Sequence, residues 1–333
     1  MKNNRVIIFI VLTLTVILLP LFALPRDEEA IKEAAVQVVA QNNSSKKEEN
    51  ESEKEKEVED KKSVRLYFAD TKKIEKISME DYIFSVVAAE CPMLYSDEAI
   101  KAQIVAAHTF TLYRIEANKD EKYDVSTDPN TCQAYVTREK ARENWGSGAE
   151  EYEEKLNNLM NEVMDYVVLY KNEPIFAAYH AISSGKTEDA KNVWGNECKY
   201  LKPVQSNYDK LATNYLVSTT FNFSEIDTKL KIFGFTGEML SKAKINKTSS
   251  GYATTLTSGG KTLEVSDLVA MLNLRSNNIE ITSKDKKITI TTRGYGHGVG
   301  MSQNGANYMA KNGSDFIEIL KHYYSGVEVE KIK

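Results

Sequence analysis

Residues 78–92 read SMEDYIFSVVAAECP, and this stretch predicts the first buried helix of the folded region. Ser78, followed three positions later by Asp81, has the form of a capping box, which satisfies backbone N–H groups at the start of a helix. The helix should run to about Ala89, because Pro92 biases the residue before it away from helical conformation.

Glu90 stands at the end of this helix, on its apolar face. Ile83, Val86 and Val87 occupy positions i, i+3 and i+4, and Glu90 occupies position i+7. Partial burial and the negative end of the helix both disfavour the ionised carboxylate, so both should raise its pKa. A carboxyl group that keeps its proton near neutral pH suits general acid catalysis. The alternative is a terminal glutamate that turns out to solvent.

The rest of the folded region contains both segments with helical periodicity and segments with strand-like alternation. Further segments with a helical pattern are 96–118, 150–164, 302–311 and 314–324. Segments with a strand-like pattern are 64–69, 74–77, 166–170, 174–181 and 327–332. Residues 120–148 are expected to be irregular, and residues 200–290 to form a second lobe. We therefore predict an α+β fold, a two-lobed domain with a substrate cleft.

The N-terminal part of the chain predicts an exported protein held at the membrane. Residues 6–24 carry no charge, and nineteen helical residues span about 28 Å, enough to cross a bilayer core. A cleaved signal peptide is the alternative, and both interpretations export the remainder. Residues 26–62 read as a charged disordered stalk. We thus expect a transmembrane anchor at 1–25, the stalk at 26–62 and an extracytoplasmic domain at 63–333.

Charge and cysteine content exclude several classes of protein. Beyond residue 62, basic and acidic residues are nearly equal in number, which gives no support for a nucleic-acid partner. Cys91, Cys132 and Cys198 are far apart and match neither a disulfide scaffold nor a CxxC zinc site. One disulfide in an exported protein remains compatible with this spacing. No metal and no cofactor is predicted.

Two further stretches have the composition of ligand-binding loops. Residues 180–188 read HAISSGKTE, which places an imidazole, hydroxyls and a glycine directly after a predicted strand. Residues 294–306 read GYGHGVGMSQNGA, in which four alternating glycines surround His297. Glycines of this kind let the backbone approach a ligand closely. Such loops can present hydroxyl, imidazole and backbone donors to a sugar.

These three stretches together resemble the signatures of the stage II sporulation protein D family. The first is VVAAE at 86–90 with the helix after it, the second is HxxSxGxT at 180–187 with Trp194 following, and the third is the glycine-rich loop at 294–306. The resemblance implies lytic transglycosylation of peptidoglycan, with Glu90 as acid and base. A single carboxyl group is sufficient for this reaction, because the C6 hydroxyl of the sugar, not water, attacks C1.

The resemblance also implies substrate-binding residues and partners. The residues expected to bind the glycan are His108, His180, Ser183, Ser184, Gly185, Lys186, Thr187, Gly296, His297, Gly298 and Gln303. The preferred strand is expected to lack stem peptides, and the setting to be engulfment during sporulation, at the septal membrane. Stage II sporulation proteins P and M are the expected partners.

Departures from the family pattern leave alternatives open. His108 stands where relatives usually carry Arg, which would weaken a substrate contact or make it pH-dependent. Cys132 alone remains of a Cys/His zinc cluster found in some relatives. One rival interpretation is a non-catalytic glycan-binding module that enhances a partner amidase. Another is a hydrolase that pairs Cys91 or Cys132 with His180.

Overall fold

The computed structural model describes residues 62–129 and 131–332 of the chain. The predicted membrane anchor and all but the last residue of the predicted stalk lie outside these residues. Within them, no helix combines the length and the apolar character needed to cross a bilayer.

The first helix begins and ends close to where the sequence places it. Helix α1 is Met79–Glu90, and the Ser78 hydroxyl accepts a hydrogen bond of 3.0 Å from the backbone N–H of Asp81. Ser78 is therefore the N-cap, as predicted. The Asp81 carboxylate accepts a hydrogen bond of 2.7 Å from the Ser78 hydroxyl instead of the Ser78 backbone N–H, so the second bond of the expected capping box is not formed. Helix α2, Asp97–Ala117, is buried along most of its length and packs against α1.

The larger hydrophobic core is built around α1 and α2 by three small sheets and several helices. Strands β1 (Ser63–Phe68), β2 (Lys73–Ser78) and β3 (Val125–Ser126) form one sheet in the order β2-β1-β3. The other elements of this part before the second core are α3 (Arg138–Trp145), α4 (Ala149–Val163), β4 (Tyr166–Tyr170), β5 (Glu173–Pro174), β6 (Tyr179–His180) and α5 (Ala190–Trp194). Those after it are β13 (Met301–Ser302), α9 (Gln303–Lys311), α10 (Phe316–Tyr323) and β14 (Glu328–Lys331).

A second hydrophobic core is formed by residues 216–293. Its residues, among them Ile226, Leu256, Leu268 and Ile290, are distinct from those of the first core. Its elements are β7 (Leu216–Asn222), α6 (Phe223–Lys229), α7 (Gly237–Ser241), β8 (Lys244–Lys247), β9 (Ala253–Ser258), β10 (Lys261–Glu264), α8 (Val265–Leu272), β11 (Ile279–Lys284) and β12 (Lys287–Arg293). They make two three-stranded sheets, β11-β12-β7 and β10-β9-β8. The described chain is thus an α+β structure with two cores.

Two predicted segments differ from the structure. The region expected to be irregular contains α3, which the Thr137 side chain caps and which Arg138 joins to Glu153 of α4 by an ion pair of 3.4 Å. The strand predicted over 174–181 is split into β5 and β6. Between them the Ala178 carbonyl turns to accept hydrogen bonds from the Met301 N–H and the Tyr324 hydroxyl.

The short pairing of β6 with β13 determines the arrangement of the site. The two strands are parallel, with Tyr179 opposite Met301 and His180 opposite Ser302. Since His180 opens the second signature stretch and Ser302 lies in the third, this pairing brings together two loops that are about 120 residues apart in the chain.

Candidate active site

Glu90 presents a partly buried carboxyl group at the C-terminal end of α1. Its Oε1 atom accepts a hydrogen bond of 2.7 Å from the backbone N–H of Ala134, and the Tyr179 hydroxyl lies near the carboxyl group. Burial raises the pKa of Glu90, and the Ala134 N–H and the Tyr179 hydroxyl, which both favour the ionised form, oppose that rise in part. The raised pKa follows from the burial expected of the inward helix face.

Tyr179 connects Glu90 to a buried amide. Its hydroxyl lies 2.9 Å from the Oε1 atom of Gln133, and the Gln133 amide nitrogen donates in turn to the Thr111 hydroxyl over 3.3 Å. Burial raises the pKa of Tyr179 well above its ordinary value, so the hydroxyl keeps its proton. That single proton can be donated either to Gln133 or to an ionised Glu90. Neither residue is predicted from the sequence, although Tyr179 directly precedes the second signature stretch.

His180, which is buried, and His297, which is partly buried, form a pair of neutral imidazoles. Their ring centroids lie 5.6 Å apart. Burial lowers the pKa of His180 to about 4, and burial together with the neighbouring His180 lowers that of His297 to about 3. The Nδ1 atom of His180 faces the Val299 carbonyl at 3.1 Å, so Nδ1 carries the proton and Nε2 is an acceptor. This Nε2 atom is buried and has no hydrogen-bond partner among the described residues.

The glycine-rich loop lies so close to β6 that two of its glycine positions have no room for a side chain. Gly296 has a φ of 103°, and a Cβ atom there would lie 2.9 Å from the Cβ atom of His180. Gly300 has a φ of 73°, and a Cβ atom there would collide with the Ala178 carbonyl. Both positions therefore require glycine for conformation and for close approach.

The three signature stretches meet at one pocket with a volume of about 660 Å³. Glu90 comes from the first stretch, His180 from the second, and Gly296, His297 and Gln303 from the third. Aromatic side chains supply much of the remaining wall, namely Phe110, Phe176, Tyr179, Trp194 and Tyr295. Aromatic walls with a few converging polar groups are the usual lining of a ligand site.

Gln303 ties the third stretch to the first. Its amide nitrogen donates to the backbone carbonyl of Glu90 over 3.1 Å and lies 3.3 Å from the Oε1 atom of Gln103 on α2. The Glu90 carbonyl is one of those that the end of α1 leaves without an intrahelical partner. Gln303 therefore fixes the end of the helix that carries the candidate acid.

Ser183 binds a buried carboxylate instead of facing the pocket. Its hydroxyl donates to Asp209 over 2.5 Å, and Asp209 also accepts from the side chains of Ser206, Ser302 and Asn304 over 2.8–3.0 Å. This hub joins the second and third stretches through residues outside the pocket lining. It also explains the Asn at position 304, whose amide donates to the carboxylate. Asp209 is not predicted from the sequence, because it lies outside the signature stretches.

The other residues expected to bind the glycan lie outside the pocket lining. Thr187 exchanges hydrogen bonds with Val204, and Lys186 forms a β-bridge with Gln205. Ser184 binds the hydroxyl groups of Tyr252 and Tyr215 through its backbone. The remaining two are glycines whose backbones pass close to side chains, Gly185 under Lys210 and Gly298 under Tyr252. These residues therefore make contacts within the protein that stabilise the loops, and they do not line the pocket.

His108 is also placed away from the expected contact. Its side chain is buried on α2, its Nδ1 atom lies 3.4 Å from the Tyr166 carbonyl, and burial lowers its pKa to about 4. It is not among the residues that line the pocket. A neutral imidazole fits this packed position, which differs from the charged substrate contact that the family pattern suggests.

No carboxyl group other than Glu90 lines the pocket within the described residues. Asp97 and Glu98, close to Glu90 in sequence, pair instead with Lys155 and Lys101. Burial raises the pKa of the Cys91 thiol to about 12, which argues against Cys91 as a nucleophile. The described residues contain no group of three potential metal ligands.

Comparisons with known proteins show the family to which the chain is related. A family model described as stage II sporulation protein matches residues 67–170. The chain is 36% identical to stage II sporulation protein D of Bacillus amyloliquefaciens over 272 residues, which covers 81% of this chain and 79% of the relative. It is 34% identical to the Bacillus subtilis protein of that name with the same coverage. It is also 24% identical to the amidase enhancer of Bacillus subtilis, over 72% of this chain and 39% of that protein.

Proposed function

The chain belongs to the stage II sporulation protein D family, and from that premise we propose that it is a lytic transglycosylase that cleaves peptidoglycan glycan strands. The observation that carries the proposal is Glu90, which is the one carboxyl group in the described lining of a pocket that all three signature stretches form. Its raised pKa supports a role as a proton donor near neutral pH.

The reaction needs one proton donor that later accepts a proton. Glu90 donates its proton to the glycosidic oxygen as the bond from that oxygen to C1 breaks. The C6 hydroxyl oxygen of the same sugar then bonds to C1, and its proton passes to the Glu90 carboxylate, which restores the acid. The products are a free hydroxyl on one fragment and a 1,6-anhydro ring on the other. No water is consumed, so no second carboxyl group is needed to activate one.

The neighbours of Glu90 support both halves of this cycle. The Ala134 N–H and the Tyr179 hydroxyl can stabilise the carboxylate that forms when the proton leaves. The Nδ1–H group of His180 donates to the Val299 carbonyl and so holds the glycine-rich loop at the pocket. Aromatic rings along the wall can pack against the C–H faces of the sugars.

The setting proposed for the enzyme is the sporulating cell. The chain would be anchored in the membrane by residues 1–25 and act outside the cytoplasm during engulfment, as residues 63–333 held on a charged stalk. Its preferred substrate would be glycan without stem peptides, with stage II sporulation proteins P and M as partners. The names of two relatives, both called stage II sporulation protein D, support the sporulation setting.

A second candidate function is a glycan-binding module that assists an amidase. The similarity to a protein named amidase enhancer favours it. Such a module would use the same pocket and loops but would have no need for a carboxyl group with a raised pKa. Glu90 is therefore the feature that distinguishes the two candidates.

Product analysis on purified denuded strands tests the proposal. The proposal expects fragments that end in 1,6-anhydro-N-acetylmuramic acid when the products are separated and weighed by mass spectrometry. Reducing ends would indicate hydrolysis, and would require a second carboxyl group outside the described lining. Tight binding without cleavage would support the binding module instead.

A further inference from the structure

A second pocket, with a volume of about 370 Å³, adjoins the candidate active site. It shares the side chains of Phe176 and Trp194 with the pocket that contains Glu90. Its remaining lining includes Tyr113, Asn196 and Cys198. We call it the outer pocket. Because the two pockets share the Phe176 and Trp194 side chains, they lie next to each other.

The shared wall is held rigidly by aromatic contacts. The Trp194 ring packs edge-on against Phe176 at a centroid distance of 5.4 Å and lies 5.2 Å from the His297 ring. It ends the short helix α5, which stops at Gly195, a residue with a φ of 81°. Trp194 nevertheless remains 41% exposed. Because the orientation of the indole is already fixed, a ligand that packs on its exposed face causes little further loss of side-chain conformational entropy.

The chemistry of the outer pocket fits an uncharged sugar. The rings of Tyr113, Phe176 and Trp194 provide apolar surface, and the Asn196 amide can both donate to and accept from hydroxyl groups. The carboxylate of Glu197 is already paired with Lys199 at 2.9 Å and Lys202 at 3.6 Å, which leaves little net charge. Aromatic surface with neutral hydrogen-bonding groups suits a pyranose, whose C–H face is apolar and whose rim carries hydroxyls.

We propose that the outer pocket binds a further amino sugar of the same glycan strand, so that Trp194 separates two sugar subsites. The proposal rests on the proposed function, because it takes the strand in the first pocket to be glycan. It adds a subsite away from the glycosidic bond that is cut. Occupation of this subsite would favour long strands over short fragments.

Cys198 offers a reporter inside the outer pocket. It is partly exposed and unpaired, whereas Cys91 is buried with its pKa raised to about 12 and should not react. Cys132 lines the first pocket and is removed by Cys132→Ser. A full-length Glu90→Gln, Cys132→Ser protein binds strands without cutting them, and the rate at which iodoacetamide alkylates Cys198 is measured.

Bound denuded strands should slow this alkylation. At a strand concentration about ten times Kd, the free protein falls to about a tenth and the rate should fall about tenfold. Calorimetry on the same samples reports whether the strand binds at all. The matched control is the same protein with Cys198→Ser, which should incorporate no label with or without glycan.

Each outcome decides a separate point. Strands that bind by calorimetry but leave the alkylation rate unchanged would overturn the outer subsite and leave the proposed function intact. Protection only by strands that keep their stem peptides would assign the pocket to peptide and overturn the sugar assignment. Absence of binding by any strand would overturn the proposed function and this inference with it.

Discussion

The hydroxyl proton of Tyr179 is shared between an amide oxygen and the candidate acid. With Glu90 protonated, the hydroxyl donates to Gln133 over 2.9 Å, and with Glu90 ionised it can donate to the carboxylate. The second arrangement is the one that exists once the proton has passed to the leaving oxygen. Tyr179 is therefore a positioning residue for the proton-transfer step.

Tyr179→Phe should slow cleavage and shift its pH dependence. Loss of a hydrogen bond to a charged group costs about 1.5–3 kcal/mol, which corresponds to about a 10- to 100-fold lower kcat. The hydrogen bond lowers the pKa of Glu90, so its removal should raise that pKa further. Because the protonated acid is the active form, the pH above which kcat/KM falls should move upward.

A pH profile of kcat/KM for both proteins measures this shift. Tyr295→Phe is the matched control, because Tyr295 lines the same pocket and its ring packs under Arg275. It should leave the alkaline limb where it is in the unmodified protein. An unshifted alkaline limb in Tyr179→Phe would show that the Tyr179 hydroxyl does not influence the pKa of Glu90.

Buried neutral histidines should make the fold sensitive to acid. Burial lowers the pKa of His108 from 6.5 to about 4, so the unfolded chain binds a proton that the folded chain excludes. The stabilisation is complete above pH 6.5 and declines as the pH falls towards 4. His108→Asn keeps a donor for the Tyr166 carbonyl and removes this titration.

Denaturant unfolding between pH 7 and pH 4 checks the prediction. The unmodified chain should lose about 3 kcal/mol more unfolding free energy over this range than His108→Asn does. Equal losses in the two proteins would show that His108 is protonated in the folded state. Such a result would support the charged substrate contact at position 108 that the family pattern suggests.

Individual elements show why sequence patterns succeed locally and fail for distant pairings. Helix α1 follows its cap and its apolar period within a residue, and α4 and α9 agree with their predictions equally closely. The strand predicted over 174–181 is wrong in its middle, because Met301 and Tyr324 bind the Ala178 carbonyl from more than 120 residues away. Alternating side chains along one segment carry no information about such partners.

The residues of the candidate site also fall into two groups, those that the local sequence identifies and those that only the folded structure reveals. Glu90, His180 and His297 could be selected because residue type and spacing mark them within their own stretches. Asp209 could not, since a single acid in an ordinary stretch carries no local signal until Ser183 and Ser302 fold around it. The family resemblance predicts that loop residues 183–187 bind the substrate, but composition alone does not distinguish a loop that binds a ligand from one that holds a turn together.

The carboxylate hub at Asp209 should determine the stability of the paired loops. Asp209→Ala leaves four side-chain donors without their acceptor, and removal of one partner from a buried charged network costs about 3–5 kcal/mol. Unfolding in denaturant should show this loss, with activity reduced although Asp209 is not in the pocket lining. Asp120→Ala removes an exposed acid and should change stability by less than about 0.5 kcal/mol. A similar small change in Asp209→Ala would show that the hub is not needed.

At the scale of the whole chain, the described residues form two hydrophobic cores, and the candidate site is built on the larger one. The β6–β13 pairing and Gln303 bring the three signature stretches to one pocket that holds one carboxyl group. The proposed lytic transglycosylase activity depends on Glu90 acting first as acid and then as base.

Cleavage and binding by Glu90→Gln, measured side by side on denuded strands, test that role. The substitution keeps the size of the side chain and an acceptor for the Ala134 N–H, but it removes the transferable proton. Cleavage, followed as 1,6-anhydro ends by mass spectrometry, should fall by at least about 10²- to 10⁴-fold, while Kd for the strand changes little. Cleavage at the rate of the unmodified protein would contradict the assignment of Glu90 as the acid.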